Sequence, residues 1–345
     1  MKLMIDDAVW GFAEIFSEFG EVITLPGREI NRQSLIDCEI LIVRSRTKVN
    51  SDLLKDTNIK FVGSTVAGLD HIDQTYLLKN NIAFVSAQGC NANAVAEYVI
   101  SAIANLANDF NFDLASKTLG IIGVGNVGTR LDSKAKQLGI NTLLNDPPRQ
   151  DKEGSNGFVK LDEALSADIV TFHTPLTFSG IHPSHNLLGS NNFNLISEDT
   201  ILINAARGGI IDENIWEKIA TKANVIDCWE NEPNINSKLQ SKAYLATPHI
   251  AGHSIDAKFT GSFMIYKELL KFTNNSLNKQ IEQLINPEVE IIKDNSLHET
   301  INSIYSFKDD SIAIKDSTKF ENYRRNYPDR YEWGHYQTQY KIPLG

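Results

Sequence analysis

The strongest structural signal in the chain is the stretch TLGIIGVGNVG, residues 118–128, in which a short apolar run leads directly into a glycine-rich loop. An apolar pattern with helical spacing follows the loop. Gly123 permits a tight turn, Gly125 leaves out a side chain where a pyrophosphate would approach, and Gly128 lets the helix pack close to the strand. The order of strand, loop and helix predicts a dinucleotide-binding fold with the phosphates at the helix N-terminus.

An acidic residue follows the next apolar run, where such a fold contacts a ribose. Residues 141–145 form a second predicted strand, and Asp146 comes directly after it, eighteen residues beyond Gly128. A carboxylate there accepts hydrogen bonds from ribose hydroxyls and repels a 2′-phosphate, which favours NAD over NADP. Arg149 would weaken that repulsion. The alternative interpretation is an ordinary glycine turn followed by an acidic surface loop.

Short apolar runs alternate with helical patterns along most of the chain, which predicts an α/β protein with two doubly wound parallel sheets. The first, flavodoxin-like series of strands is predicted at 2–5, 21–25, 40–43, 61–64 and 83–85, with a helix at 11–19. The second, Rossmann-type series is predicted at 118–123, 141–145, 169–173, 201–204, 225–227 and 245–246. Long helices are predicted at 93–108 and 255–272.

The length of 345 residues exceeds what one hydrophobic core supports, so several domains with a cleft between them are expected. We predict a substrate domain over 1–92, completed by about 256–275, and an NAD-binding domain over 93–255. Residues 280–345 are predicted to form a small α+β domain. Such a segment is too short to bury a robust core alone, so it is expected to need a partner subunit.

Composition excludes several classes of protein. A formal net charge of −10 with scattered basic residues does not favour nucleic acid as a partner. The cysteines Cys38, Cys90 and Cys228 are odd in number and far apart, which fits small apolar residues in a reducing compartment. Neither a signal peptide nor a membrane span is expected, so the protein is predicted to be cytoplasmic.

Three polar residues follow predicted strands of the second series, at the edge of the sheet where open α/β proteins bind ligands. Arg207 lies in NAARGGIID (204–212), Glu232 in DCWENEP (227–233) and His249 in TPHIAGH (247–253). The planar guanidinium group of Arg207 suits a carboxylate, and Glu232 and His249 are candidates for a proton-exchanging pair. Each residue also has an ordinary interpretation, as a surface charge, a turn acid or a loop histidine.

A metal site is not predicted. His249 and His253 have the i, i+4 spacing of a metal-binding pair. However, Gly252 lies between them and no glutamate does, which argues against zinc.

Two loops of the first series are candidates for binding the substrate. VRSRTKVN (43–50) carries Arg44, Ser45 and Arg46, which would suit a phosphate group. FVGSTVAGLDHID (61–73) is glycine-rich and offers backbone amides to a carboxylate. Its candidate residues are Thr65, Val66 and Gly68. The alternative for the basic cluster is a solvated surface loop.

Together with GVGNVG, the motifs around Arg207, Glu232 and His249 resemble those of the D-2-hydroxyacid dehydrogenase family. The resemblance implies that Arg207 binds and polarises the substrate, that His249 exchanges a proton and that Glu232 orients His249. It also implies cofactor contacts by further residues of the second series. Those residues are Asn126, Val127, Thr174, Ala205, Ala206, Asp227 and Gly252, besides Arg207 itself.

Further matches narrow the resemblance to the subgroup of this family that oxidises 4-phospho-D-erythronate with NAD on the route to pyridoxal 5′-phosphate. They include QGCNANAVAEYV (88–99), NDPPR (145–149) and FENYRRNYPDRYEW (320–333). The subgroup implies a homodimer formed through the C-terminal domain. Two residues depart from its pattern, since Val66 replaces a threonine and His253 a tyrosine. Thr65 and His253 are candidates for substitute hydrogen bonds.

Two other functions stay open at this point. One is oxidation of D-3-phosphoglycerate or another D-2-hydroxyacid, because those enzymes share the three catalytic motifs. The other is an NAD-sensing binding protein like the corepressors of the superfamily, against which the intact Arg207, Glu232 and His249 argue.

Overall fold

The computed structural model describes residues 1–154, 156–285 and 288–344, and it divides the chain into two compact units. The first unit comprises Met1–Asn91 and Ser254–Glu288, and the second comprises Ala92–His253 and Val289–Gly345. Each unit contains its own parallel sheet. The predicted α/β class with two parallel sheets is therefore confirmed.

The first unit is built on a five-stranded parallel sheet. Its strands are β1 (Lys2–Asp6), β2 (Glu21–Leu25), β3 (Ile40–Val43), β4 (Phe61–Ser64) and β5 (Ala83–Ser86). Its helices are α1 (Phe12–Phe16), α2 (Arg32–Leu35), α3 (Ser51–Leu54), α4 (Gln74–Lys79) and, from the later segment, α11 (Ile255–Thr273). The strand order is β2-β1-β3-β4-β5.

Both faces of this sheet are covered at its centre, which explains why the central strand β3 is apolar throughout. Along β3, Ile40 and Ile42 pack with Leu269 of α11, whereas Leu41 and Val43 pack in the cluster on the other face. Successive residues of a strand point to opposite faces, so a strand covered on both sides has no polar position.

The second unit contains a six-stranded parallel sheet. Its strands are β6 (Thr118–Ile122), β7 (Asn141–Asn145), β8 (Ile169–Phe172), β9 (Ile201–Asn204), β10 (Ala223–Ile226) and β11 (Leu245–Ala246). Its helices are α5 (Ala92–Phe110), α6 (Asn126–Gln137), α7 (Pro147–Glu153), α8 (Leu161–Leu165), α9 (Glu213–Trp216) and α10 (Ser237–Lys242). The order β11-β10-β9-β8-β6-β7 reverses direction between β8 and β6, which is where such sheets bind ligands.

Some predicted boundaries differ from the structure. β6 ends at Ile122 rather than at residue 123, because Gly123 has a φ of +89° that no extended strand adopts. The helix predicted at 11–19 is regular only over Phe12–Phe16 and continues as the 3₁₀ turn Ser17–Phe19. Within the described residues, no helix is long and apolar enough to cross a membrane.

The C-terminal segment packs into the core of the second unit. Its elements are α12 (Leu297–Ile304), α13 (Phe307–Ala313), α14 (Phe320–Arg325) and the parallel pair of strands β12 (Glu290–Ile292) and β13 (Tyr336–Thr338). Apolar residues of this segment, among them Ile301 and Trp333, share one core cluster with Val99 of α5. The sequence predicts a separate domain over 280–345, but the segment is too small to bury a core of its own and uses that of the second unit.

Lys134 of α6, the helix that follows the glycine loop, pairs with Glu97 of α5 and also contacts the C-terminal segment. The side chain of Lys134 is fully buried, and its Nζ lies 3.8 Å from Glu97 Oε1. The same Nζ donates to the Pro343 carbonyl oxygen at 3.0 Å and lies 5.3 Å from the centre of the Trp333 ring.

Candidate active site

The glycine loop joins β6 to α6, and each of its glycines is needed for a different reason. A Cβ at Gly123 would lie 2.7 Å from the backbone after β8, and one at Gly128 would clash with the Gly123 carbonyl oxygen. A Cβ at Gly125 would meet no described atom within 4 Å. Gly125 therefore borders open space at the start of α6, as the approach of a pyrophosphate requires.

Asp146 stands at the start of α7 and binds the glycine loop directly. Its Oδ2 accepts from the Val124 amide at 2.7 Å, and its Oδ1 accepts from the Arg149 amide at 2.9 Å. The Arg149 side chain donates to the Val124 carbonyl oxygen and pairs with Glu153, with an N–O distance of 2.7 Å. The predicted ribose ligand and its basic neighbour are thus both fixed against the loop that would hold the phosphates.

The end of β8 presents two polar atoms without a protein partner among the described residues. Thr174 Oγ1 and His173 Nδ1 are buried and make no hydrogen bond there. His173 Nε2 lies 3.0 Å from Thr171 Oγ1, and burial lowers the pKa of His173 to about 3, so its ring is neutral. Because buried polar atoms are normally paired, these two atoms fit a site that a cofactor completes. Thr174 was predicted as a cofactor contact, whereas no sequence motif predicted a role for His173.

Arg207 lies in the loop after β9, and Asn204 fixes the shape of that loop. The Asn204 side chain donates to the Arg207 and Cys228 carbonyl oxygens at 2.9 and 3.3 Å and accepts from the Ala206 amide at 3.1 Å. Asn204 therefore joins the Arg207 loop to the loop that carries Glu232. The candidate residues Ala205 and Ala206 are 8% exposed, and Arg207 Nη1 donates to the Ala206 carbonyl oxygen at 2.7 Å.

Asp227 is buried and holds the loop of His249 in place. Its Oδ1 accepts from Thr247 Oγ1 at 2.6 Å and from the Ile250 amide at 2.7 Å, and its Oδ2 accepts from the Ala251 amide at 3.1 Å. Its backbone oxygen accepts from the His249 amide at 2.8 Å. The resemblance implies a cofactor contact for Asp227, whereas these bonds engage both carboxylate oxygens within the protein.

Glu232 and His249 form a hydrogen-bonded pair. His249 Nδ1 lies 3.1 Å from Glu232 Oε1 and 3.0 Å from Oε2, and both side chains are partly exposed. The Trp229 amide also donates to Glu232 Oε1 at 3.0 Å. His249 has a φ of +56°, a backbone conformation that the bonds to Asp227 hold.

Cys228 completes a group of three potential metal ligands with this pair. The donor atoms of Cys228, Glu232 and His249 lie within 4.8 Å of one another. Burial raises the pKa of the Cys228 thiol well above its usual range, and the charge of Asp227 raises it further. The direct contact of Glu232 with His249 Nδ1 is the geometry that proton exchange between a carboxylate and an imidazole requires.

The predicted substrate loops of the first unit follow the neighbouring strands β3 and β4. An isolated bridge between Val49 and Ile72 holds them together. Arg44 Nη1 donates to the Ala8 carbonyl oxygen at 3.0 Å. The remaining candidates differ in exposure, since Ser45 is exposed, Arg46, Val66 and Gly68 are half-buried, and Thr65 is buried.

Gly252 and His253 end the loop that carries His249, and both are half-buried. The His253 ring lies 5.6 Å from the ring of Tyr327. This aromatic contact was not expected from the sequence, because Tyr327 belongs to the C-terminal segment.

Comparison with known sequences identifies close relatives of this chain. Residues 96–251 match the family described as "D-isomer specific 2-hydroxyacid dehydrogenase, NAD binding domain". The erythronate-4-phosphate dehydrogenase of Ruthia magnifica subsp. Calyptogena magnifica is 59% identical over 344 residues, which cover 100% of both chains. The enzyme of the same name from Proteus mirabilis is 38% identical over 98% of this chain and 94% of its own.

Solved structures of several dehydrogenases share the fold. NAD+-bound 3-phosphoglycerate dehydrogenase of Entamoeba histolytica gives a TM-score of 0.67 at 24% identity, over 81% of this chain and 97% of that one. D-Lactate dehydrogenase of Aquifex aeolicus, complexed with NAD and lactic acid, gives a TM-score of 0.62 at 20% identity, over 84% of this chain and 100% of that one. At these identities the likeness supports the fold alone.

Proposed function

The chain belongs to the erythronate-4-phosphate dehydrogenases of the D-isomer specific 2-hydroxyacid dehydrogenase family, and we propose that it oxidises 4-phospho-D-erythronate to (R)-3-hydroxy-2-oxo-4-phosphooxybutanoate. It is an NAD-dependent oxidoreductase. The reaction serves the biosynthesis of pyridoxal 5′-phosphate. The observation that carries the proposal is the Glu232–His249 pair, with Nδ1 3.0 Å from a carboxylate oxygen, in a chain so similar to enzymes of this name.

His249 is the proposed acceptor of the hydroxyl proton. A carboxylate only accepts hydrogen bonds, so Glu232 assigns the ring proton to Nδ1 and leaves Nε2 as the base. Nε2 removes the proton from the 2-hydroxyl group, and the Glu232 carboxylate stabilises the positive ring that results. In the reverse direction the same nitrogen returns the proton.

Arg207 is proposed to bind the substrate carboxylate and the developing carbonyl group through its planar fork. When bound, NAD would supply the acceptor for the hydride that leaves the carbon carrying the 2-hydroxyl group. The C–H bond breaks, the C–O bond becomes a carbonyl and the proton passes to His249, so the products are the 2-oxo acid, NADH and one proton. Gly125, Thr174 and Asp146 would hold the cofactor.

The loops of the first unit are proposed to bind the remainder of the substrate. Ser45 is exposed, and Arg46 is half-buried in the same loop, as expected of residues that bind a phosphate from solvent. For the substrate carboxylate, the proposed donor is the backbone N–H of the half-buried Val66, because the backbone N–H of Thr65 already donates to the Val43 carbonyl oxygen at 3.0 Å.

We also propose that the chain forms a homodimer through its C-terminal segment. Val289, Ile291 and Ile312 of that segment are 60% to 66% exposed, which fits an apolar surface that a second copy covers. Analytical ultracentrifugation is expected to give twice the chain mass of 38.5 kDa, and a monomer mass would contradict the proposal. The cytoplasmic location stays a prediction.

The activity is tested by supplying purified protein with NAD and either 4-phosphoerythronate or 3-phosphoglycerate. We expect faster NADH formation from the first substrate, and a preference for the second would contradict the proposal. His249→Ala should lower the rate by about 10²-fold or more, because general acid–base catalysis contributes that much. His298→Ala, on α12, is the matched control and should keep the rate. Tight NADH binding without turnover of either substrate would indicate an NAD sensor instead.

A further inference from the structure

Three residues of the C-terminal segment, spaced three apart, reach the catalytic loops of the second unit. Arg324 Nη1 lies 3.8 Å from Glu232 Oε2. The Tyr327 ring contacts His253, and Arg330 Nη2 donates to the Ala251 carbonyl oxygen at 2.8 Å. The segment therefore supports both the loop of Glu232 and the loop of His249.

The helix that carries Arg324 is anchored on two sides. Phe320, at the start of α14, is 1% exposed and packs in the same core cluster as Trp229. Tyr323 and Tyr327 donate to the buried carboxylate of Asp310 at 2.7 and 2.9 Å. Because these contacts fix the backbone, the Arg324 side chain is held towards Glu232 while staying 26% exposed.

We propose that Arg324 is a positioning residue for the reaction, whose guanidinium group keeps the Glu232 carboxylate oriented so that Glu232 can hold His249. The inference rests on the proposed function, because it assumes that Glu232 and His249 exchange the substrate proton. If Arg324 has this role, the basic aromatic motif at 320–333 contributes to catalysis in the same chain that carries it.

The electrostatics of Glu232 agree with this role. Burial raises the pKa of Glu232, but the charge and hydrogen bond of His249, the Trp229 amide and the charge of Arg324 together hold it below its usual value. His249 carries a positive charge only when protonated. Arg324 stays charged throughout, so among these groups it supplies the positive charge beside Glu232 while His249 is a neutral base, in addition to the hydrogen bonds from His249 and Trp229.

Two other titratable groups near Glu232, Cys228 and Glu213, supply no positive charge. Cys228, on the same loop, is a buried thiol whose pKa burial raises. Glu213, on α9, has its pKa raised to about 7 by burial, then by the charges of Glu230 and Glu232. Neither group can replace the positive charge of Arg324.

The test compares Arg324→Gln and Arg324→Lys with Arg325→Gln as the matched control, because Arg325 is the next residue of α14 and is exposed. Arg324→Gln should lower kcat about 10-fold and move the acidic limb of the kcat–pH profile up by about one pH unit, as expected for losing one partly exposed charge near 4 Å. Arg324→Lys should recover most of both effects. NADH affinity should not change in any variant.

Several outcomes would overturn the inference. One is that Arg324→Gln has the same rate and pH profile as Arg325→Gln, while His249→Ala loses about 10²-fold or more in rate, as proposed. Another is loss of NADH binding or of the cooperative thermal transition in both Arg324→Gln and Arg324→Met, which would assign the residue a structural role. If wild type does not oxidise 4-phosphoerythronate, or His249→Ala is fully active, it is the proposed function that fails.

Discussion

Replacing Asp227 with asparagine should displace His249 and lower kcat while leaving NADH affinity nearly unchanged. The carboxylate is 1% exposed and accepts three hydrogen bonds from the loop of His249, two on Oδ1 and one on Oδ2. Asparagine has one acceptor oxygen, so its amide nitrogen must face a buried donor. If the oxygen keeps Thr247 and Ile250, the Ala251 amide loses its partner.

The cost follows from these bonds. Losing one charge-assisted hydrogen bond and burying an unpaired donor should lower the free energy of unfolding by about 3 to 5 kcal/mol. His249 lies two residues after Thr247, and a displacement of about 1 Å at a reacting group lowers the rate by about 10²-fold. We therefore expect a kcat about 10²-fold lower at saturating NAD, with NADH affinity within a few-fold of wild type.

Three measurements test this expectation: urea unfolding, kcat and NADH titration. Asp168→Asn is a matched control, because Asp168 also accepts three hydrogen bonds, two from Thr118 and one from Lys117, at the start of β6 and β8 and away from the ligand-binding edge. This control should lose stability and keep kcat. A variant of Asp227 that keeps its kcat but binds NADH far more weakly would refute the reasoning and favour a direct cofactor contact.

Two further predictions concern the glycine loop and pH. Gly125→Val should weaken NADH binding at least about 10-fold without changing Tm, because the valine side chain would fill the space left for the pyrophosphate. By contrast, Gly128→Ala should lower Tm, because its Cβ would clash with the Gly123 carbonyl oxygen. Unchanged NADH binding in Gly125→Val would contradict the assignment of the pyrophosphate site. Burial raises the pKa of Glu213 from 4.5 to about 7 in the folded chain. Between these two pH values the unfolded chain has released the Glu213 proton whereas the folded chain still holds it, so the free energy of unfolding should fall by up to about 3 kcal/mol between about pH 4.5 and pH 7. Glu213→Gln should abolish that component, and an unchanged pH slope would show that Glu213 is not its source.

The fold was largely predictable because its signals are local. Strands buried on both faces must be apolar, so runs such as 40–43 and 201–204 stand out, and the structure has strands at Ile40–Val43 and Ile201–Asn204. The boundaries that differ lie where backbone geometry ends an element, as at Gly123. The packing of the C-terminal segment could not be predicted from local patterns, because its apolar residues contact α5, which lies about 200 residues earlier in the chain.

The site was predictable only in part, for the same reason. Arg207, Glu232 and His249 each follow a strand or its loop, so sheet topology places them at one edge. By contrast, the three donors to Asp227 and the approach of Arg324 to Glu232 depend on how loops and the C-terminal segment pack, which no local pattern encodes. The roles of the site residues stay predictions until the variants are measured.

The buried Lys134 links the evolution of two distant parts of the sequence. Its ammonium group is tolerable only because Glu97 and the carbonyl oxygen of Pro343 accompany it, and an unpaired buried charge costs several kcal/mol. A homologue that kept both sheets but lost the C-terminal segment would lose the Trp333 ring and the Pro343 carbonyl oxygen, so the Lys134–Glu97 pair would be open to water and contribute little. In such homologues the two helix positions should therefore vary independently, whereas chains that keep the segment should keep or replace the two residues together.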